Sequence, residues 1–156
     1  MTRSIIIINC VIYYYVWSHG GITEENLLHF GANFRPLVLE GEWWRLFTCI
    51  FLHASLIHIG ANMYSLWALG RMMENLAGTW QTLLVYLATG VFGLFGAFAA
   101  LVFRKKVMSM GGQVMGMKSL LPPLMINFAI SMMPEIDLSA HLGGFVAGFF
   151  LGFLIK

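Results

Sequence analysis

Apolar positions along this chain gather into long runs separated by short polar stretches, a pattern typical of helices that lie in lipid. The clearest run covers 80–103 and would form a helix of about 36 Å, longer than the roughly 30 Å hydrocarbon core of a bilayer. Four other runs are predicted to span as well, the first of them short or tilted: 5–17, 55–71, 120–133 and 138–155. The pattern therefore predicts an all-α protein with five full spans.

Two further stretches do not reach across a bilayer. Residues 107–117 are apolar, but as a helix of about 17 Å they cover only half of the core, so a short or re-entrant segment is predicted. Residues 18–54 are too polar to span and are predicted to form an interfacial first loop. Within this loop Thr23, Glu24 and Glu25 suit the start of a short amphipathic helix, which Pro36 would end.

The composition agrees with a membrane protein and narrows the possible functions. The 156 residues are enough for one domain, 1–156, and they are 59% hydrophobic but only 10% charged. Soluble domains average about 25% charged residues. No basic run is long enough to follow nucleic-acid phosphates. We therefore predict a multi-pass integral protein of the plasma (cell) membrane, with the lipid bilayer as a partner and no nucleic acid.

A few polar side chains interrupt the apolar runs, where they cost free energy unless they face protein or water. In the second run His58 and Asn62 are four residues apart and share a helix face, which Ser65 continues. The outer side of this helix is predicted to consist of Leu56, Ile59, Met63 and Leu66 or Leu69. His58 and Asn62 suit either a reactive site or a hydrogen bond between helices. His141, near the start of the last run, suits either catalysis or packing.

Small residues recur at intervals of four in two of the runs. In the clearest run they are Gly93 with Ala97 and Gly96 with Ala100, and in the last run they are Ala140, Gly144, Gly148 and Gly152. Such stripes let the backbones of neighbouring helices approach closely. Both runs are therefore predicted to pack tightly against another helix.

Four short patterns point to a family when they are taken together. Trp44-Arg45, within 41–45, resembles a Trp-Arg motif in a first loop. His53, His58 and Asn62 match H-x(4)-H-x(3)-N, and 70–78 with Glu74 matches G-x(3)-E-x(3)-G. The last run resembles A-H-x-x-G-x-x-x-G at Ala140, His141, Gly144 and Gly148. Over roughly residues 31–156 the chain thus resembles the rhomboid family of intramembrane serine proteases.

The resemblance implies a bundle of six core helices and an endopeptidase that cuts the transmembrane segments of other proteins. It implies that His141 is the general base and that His58 and Asn62 stabilise the oxyanion. His53 would support the first loop, and Trp44 with Arg45 would stabilise that loop near the lipid. For this chemistry, the helix that carries the nucleophilic serine must lie against the helix that carries the histidine.

The chain departs from the family where the nucleophile is expected, in G-x-S-G at the start of the fourth helix. The corresponding stretch, 108–116, reads MSMGGQVMG. The serine between the glycines is predicted to be absent, together with most of the fourth helix. Ser109 is the best substitute, although no glycine follows it. The predicted fold is therefore a rhomboid-like helical bundle with a short or re-entrant segment in place of the fourth helix.

The shortened segment also complicates the topology. Arg3 predicts a cytoplasmic start, and alternation from there puts Arg104, Lys105 and Lys106 outside, although such basic clusters prefer the cytoplasm. Unless 107–117 re-enters, every later helix reverses. That reversal would place His141 at the opposite membrane face from His58.

Two functions stay open at this point. The first is that of a rhomboid-family endopeptidase homologue that acts on transmembrane segments, with hydrolysis lost or impaired because the nucleophile is missing. The alternative is a non-catalytic pseudoprotease that binds transmembrane clients without cutting them. A transporter or channel has weaker support, because the polar residues cluster near one end. The sequence contains no H-E-x-x-H motif, and neither a metal nor another cofactor is predicted.

Overall fold

The computed structural model describes residues 1–104, 121–134 and 136–155, and within these ranges every regular secondary-structure element is a helix, as predicted. The α-helices in chain order are α1 Thr2–Ser18, α2 Glu24–His29, α3 Arg35–Leu39, α4 Arg45–Thr48, α5 Leu56–Ser65, α6 Arg71–Ala77, α7 Thr79–Phe103, α8 Leu121–Ile130 and α9 Leu138–Leu154. A 3₁₀ turn, Cys49–Phe51, follows α4, and a π-helical turn, Leu66–Gly70, joins α5 to α6.

Within the described residues, α7 alone is long and apolar enough to cross a membrane by length and composition. The pair Arg45–Phe51 and Leu56–Ala77, bent by 90°, is a second candidate if it counts as one span. The apolar helices α8 and α9 are shorter. The count of five full spans therefore stays a prediction, and the segment 107–117 lies outside the described residues.

The first loop contains three short helices. The hydroxyl of Thr23 caps α2 by accepting a hydrogen bond from the Asn26 amide, which confirms the predicted helix start. The predicted end was wrong, because α2 already stops at His29. Pro36 instead lies in the first turn of α3, where a missing N–H leaves no helical hydrogen bond unmade.

The second predicted span is longer than expected, and it is buried on the predicted inner face of His58, Asn62 and Ser65 and on much of the predicted outer side as well. It continues beyond Arg71 to Ala77, because the π-helical turn carries the helix past Gly70. Leu56 is exposed, as predicted. The other residues assigned to the outside are buried instead: Ile59, Met63, Leu66 and Leu69. Packing of α1 and α7 against this side explains the error, since the hydropathy pattern alone does not show which side other helices cover.

Helix α7 is interrupted at Gly90, so the clearest predicted span is not one straight helix. Gly90 has φ 67° and ψ −160°, a backbone conformation that glycine alone adopts readily. The first arm, 79–89, follows α6 and runs beside α1, where the Asn9 side chain donates to the Tyr86 hydroxyl at 2.9 Å. The second arm, 91–103, runs parallel to α9, so that Arg104 donates to the Phe153 and Ile155 carbonyls.

The second arm of α7 turns back toward the end of the bundle where α1 begins, and this reversal removes the topological conflict posed by the basic residues. α1 begins beside α6, where the Thr2 amide and hydroxyl donate to Glu74. His58 and His141, at the starts of α5 and α9, lie together. Arg104 bonds to the far end of α9, and Glu74 lies toward the far end of the helix that His58 begins, so both lie away from the cavity. Arg104 therefore lies at the end of the bundle where α1 begins, as the preference of basic clusters for one side requires. Lys105 and Lys106 lie outside the described residues.

The glycine stripes pack α7 directly against α9, as predicted. A Cβ on Gly148 would collide with the Gly93 backbone, and one on Gly96 would collide with the Phe145 carbonyl. A Cβ on Gly152 would lie 2.7 Å from the Ala97 carbonyl oxygen. Glycine is thus required on both helices for this separation. This contact fixes the start of α9 beside the break in α7.

Candidate functional site

A cavity of about 480 Å³ opens between the first loop, the start of α5, the break in α7 and the start of α9. Its polar lining includes His53, His58, Asn62 and His141, and its apolar wall includes the stretch 88–92 of α7. Three of the four predicted site residues thus share one cavity. Ser109, the fourth, lies outside the described residues.

His58 presents a hydrogen-bond donor that has no partner. The hydroxyl of Ser55 caps α5 by accepting from the His58 amide at 3.1 Å, which sets the helix start. The Ala54 amide donates to Nδ1 of the His58 ring at 3.3 Å, so the proton of the neutral ring is on Nε2. That nitrogen is buried and has no partner among the described residues.

Asn62 follows one helical turn later and has an unpaired group of its own. Its side chain is 7% exposed, and Oδ1 has no hydrogen-bond partner in the described part of the chain. An unsatisfied buried polar group costs about 1–3 kcal/mol. Two such groups on one face of α5, both on residues that line the cavity, suit a polar ligand group that would pair with them.

His141 lies against the break in α7. Its ring stacks on Phe92 with centroids 4.3 Å apart and planes 16° apart, and its centroid is 5.6 Å from that of His58. The prediction that the later helices reverse and separate these histidines is therefore wrong. The physical reason is the break at Gly90, which turns the chain back within α7.

Three further residues of the first loop make contacts within that loop or with α5. His53 lies 5.0 Å from the His58 ring, and its Nδ1 is 3.2 Å from the Phe51 carbonyl. Arg45 is 6% exposed and donates to the Leu28 and Ala32 carbonyls at 2.7 and 3.1 Å. Its guanidinium also lies 4.6 Å from the Trp44 ring centroid. These contacts join parts of the first loop, and the roles that the resemblance implies for these residues stay predictions.

Asp137 links the first loop to the start of α9. Its carboxylate accepts from the Ala140 amide at 3.0 Å, from the Ser139 hydroxyl at 2.5 Å and from the Asn33 side chain at 2.9 Å. Burial alone would raise the pKa of Asp137, but these hydrogen bonds, with that of Ser139 foremost, hold the pKa below its ordinary value. A charged Asp137 thus fixes the turn that carries His141.

Two hydroxyl groups at the site were not predicted, one beside His141 and one in the cavity lining. Ser131, at the end of α8, has its Oγ 2.6 Å from His141 Nδ1. Thr89 lines the cavity just before the break, and its hydroxyl donates to the Val85 carbonyl at 2.5 Å. No serine is among the described residues that line the cavity. The short turn between α8 and α9 places the end of α8 near the start of α9. This proximity was the available signal for Ser131.

The described ranges contain no assembled metal site. There, no group of three or more His, Cys, Asp or Glu side chains is placed to hold a metal ion.

The structure is thus a helical bundle that gathers three histidines and an asparagine around one cavity. The Rhomboid domain model matches residues 40–117 and 88–156, so the chain belongs to the rhomboid family, whose members are integral membrane proteins. It is 32% identical to Rhomboid protease GluP of Bacillus subtilis, covering 96% of this chain and 33% of that protein.

Two plant relatives give the same result. RHOMBOID-like protein 5 and the mitochondrial RHOMBOID-like protein 6 of Arabidopsis thaliana are each 32% identical, covering 86% of this chain and 51% of the relative. The chain thus spans a third to about half the length of these curated relatives. The match to GluP extends over 177 positions, and 177 minus the 156 residues present leaves at least 21 without a counterpart here.

Proposed function

We propose that this chain acts on the transmembrane segments of other proteins, as a homologue of intramembrane serine endopeptidases in which hydrolysis is lost or impaired. Binding without cutting is the alternative form of the same proposal. The observation that carries it is the pair of unpartnered polar groups, on His58 and Asn62, beside His141 in one cavity.

The polarity of this site suits a peptide backbone. His58 Nε2–H is a donor, and each peptide unit supplies a carbonyl acceptor and, in most residues, an N–H donor. A transmembrane helix satisfies these groups internally. Only a segment that has locally unwound, as small residues permit, would offer them to the cavity. We therefore propose clients with small residues in their membrane segment.

We further propose that the segment missing relative to the family falls at Gly90 rather than after Gly111. The helix that lies against α9 is 91–103, which is the position required of the helix that follows the nucleophile. The two family matches overlap across 88–117, which includes the break. The hydroxyl nearest to the position expected for the nucleophile is then that of Thr89 rather than that of Ser109.

Loss of hydrolysis follows from the state of that hydroxyl. Thr89 is hydrogen-bonded to its own helix through the Val85 carbonyl, and its β-branched side chain has restricted χ1 freedom. A nucleophile needs an adjacent base to take its proton. Thr89 is a threonine where the family pattern has serine, so the proposed base and oxyanion donors would remain without an efficient attacking group.

As for location, the plasma membrane remains our proposal. One of the relatives is named as mitochondrial, so the family as a whole is not confined to one membrane.

A binding measurement on the whole chain in lipid nanodiscs tests the proposed function. The ligands are two fluorescent single-span peptides, one with Gly and Ala at mid-membrane and one with Leu at those positions. We expect preference for the first peptide and a weakening of about fivefold in Asn62→Ala, since one hydrogen bond contributes about 1 kcal/mol. Asn75→Ala, an exposed asparagine on α6 outside the cavity lining, is the matched control.

The proposed function fails if the two peptides bind equally, or if Asn62→Ala and Asn75→Ala bind as the parent chain does. Peptide fragments in the same samples would show hydrolysis directly. Efficient cleavage that depends on His141 would contradict the claim that hydrolysis is lost, while leaving the choice of client intact.

A further inference from the structure

We propose that Ser131 is a positioning residue that holds His141 as the Nδ1–H tautomer and leaves its Nε2 as an acceptor for the cavity. The use of this tautomer by a client rests on the proposed function, but the tautomer itself does not.

The hydroxyl of Ser131 has two neighbours and one proton. Its Oγ lies 2.7 Å from the Asn127 carbonyl and 2.6 Å from Nδ1 of His141. The carbonyl can only accept, so the hydroxyl proton goes to Asn127. A lone pair of the same oxygen then faces Nδ1, and a short contact of this kind is satisfied when Nδ1 carries the imidazole proton.

Asn127 is itself fixed, which makes Ser131 a stable reference point. Asn127 is 2% exposed, and the two N–H donors of its Nδ2 have three acceptors within reach: the Ala61 carbonyl at 3.2 Å, the Pro123 carbonyl at 2.9 Å and the Ser65 hydroxyl. Ala61 and Ser65 belong to α5, the helix that carries His58. A continuous set of hydrogen bonds therefore joins α5, α8 and α9 and sets the separation of the two imidazoles.

The stacked Phe92 ring completes the restraint. With Nδ1 bound to Ser131 and one ring face covered by Phe92, the imidazole keeps one orientation in its plane. Nε2 is then unprotonated, whereas Nε2 of His58 carries its proton because the Ala54 amide donates to its Nδ1. The cavity thus offers one acceptor and one donor from two histidines with opposite tautomers.

Ser131 is not placed to act as the nucleophile. It is 1% exposed and is absent from the described lining of the cavity, so a client carbonyl has no approach to its oxygen. Ser131 also contacts Nδ1 of His141. In known triads the buried group that orients the histidine contacts Nδ1, whereas Nε2 takes the proton from the nucleophile.

The test is ¹⁵N NMR of the whole chain in nanodiscs with labelled histidine and no client, at about pH 8 so that ordinary imidazoles are neutral. A His141→Gln variant assigns the His141 signals. We expect a protonated Nδ1 and an unprotonated Nε2 for His141. Ser131→Ala should convert this into an averaged or reversed pair of shifts, whereas Ser131→Thr, which keeps the hydroxyl, should restore it.

Ser18→Ala is the matched control, because the Ser18 hydroxyl also lies between a backbone carbonyl and a histidine Nδ1, those of Tyr15 and His19. The proposal is overturned if unmodified His141 is protonated on Nε2, or if Ser18→Ala changes the tautomer of His141 as much as Ser131→Ala does. Covalent labelling of Ser131 by a fluorophosphonate would overturn it as well. Failure of peptide binding with the expected tautomer intact would instead count against the proposed function alone.

Discussion

His58, Asn62 and His141 could be proposed from the sequence because polar side chains in apolar runs are few, and their spacing resembles a known pattern. Their convergence could not be read from spacing, since it depends on how the chain returns to the cavity. Ser131 could not be proposed in the same way, because no glycines flank it and a glycine frame is a criterion suited to a nucleophile. A residue that orients another side chain needs only the right position, which sequence patterns do not reveal.

At the residue scale, the state of Asp137 makes stability near the cavity mouth depend on pH. Its folded pKa lies below the ordinary value, so its contribution is fully present above the unfolded pKa of about 3.9 and is lost as pH falls through the folded pKa. Asp137→Asn keeps a capping side chain but removes the charge. We expect this variant to unfold at a lower temperature than the parent chain at neutral pH.

The same comparison at acid pH provides the control for Asp137. The difference in unfolding temperature should shrink toward zero as pH falls below about 4, where the unfolded carboxyl is already protonated. A difference that stays constant from neutral to acid pH would show that the charge of Asp137 contributes nothing.

At the scale of elements, the positions of α1 and α9 were predicted within a few residues, because each is a single apolar run between polar ends. The break in α7 was not, because the residues on both sides of Gly90 are apolar and glycine occurs in straight membrane helices too. The end of α6 was missed for a related reason. A π-helical turn keeps the helix going where Gly70 and Arg71 suggested an end.

The contact between α7 and α9 predicts a strong effect for one methyl group. Gly148→Ala should lower the free energy of unfolding by about 1–3 kcal/mol, since its Cβ would meet the Gly93 backbone, which cannot move as a side chain can. Gly143→Ala on the same helix has nothing within 4 Å and should be neutral or slightly stabilising. Denaturant or thermal unfolding in detergent measures both, and equal effects would contradict the packing described.

The break at Gly90 predicts a backbone effect that does not depend on space. Gly90→Ala should destabilise the fold by about 1–3 kcal/mol, because its φ of 67° and ψ of −160° are strained for any residue with a Cβ. The nearest atom to such a Cβ is 3.8 Å away, so collision is not the cause. Gly60→Ala, helical and with nothing within 4 Å, is the control, and a Gly90→Ala variant as stable as Gly60→Ala would show that the break is absent.

At the scale of the whole molecule, reversal within α7 fixes which residues share a membrane face. In a chain freed of Cys10 and Cys49, single cysteines at Arg3 and Arg104 should react with a membrane-impermeant thiol reagent from the same side. A cysteine at Asn33, in the first loop at the cavity mouth, should react from the other side. If α7 crossed the membrane in one pass, the cysteine at Arg104 would react from the side of Asn33 instead.

Membership of the rhomboid family accounts for polar side chains around one cavity. His58, Asn62 and His141 lie around this cavity, and no serine is among the described residues that line it. On this basis, and because a stretch is missing relative to the family, we propose that hydrolysis is lost or impaired. Fluorophosphonate labelling of the full chain in nanodiscs, with adducts located by mass spectrometry, tests this most directly. The account predicts no adduct that depends on His141, and an adduct on Thr89, Ser109 or Ser131 that disappears in His141→Ala would contradict it.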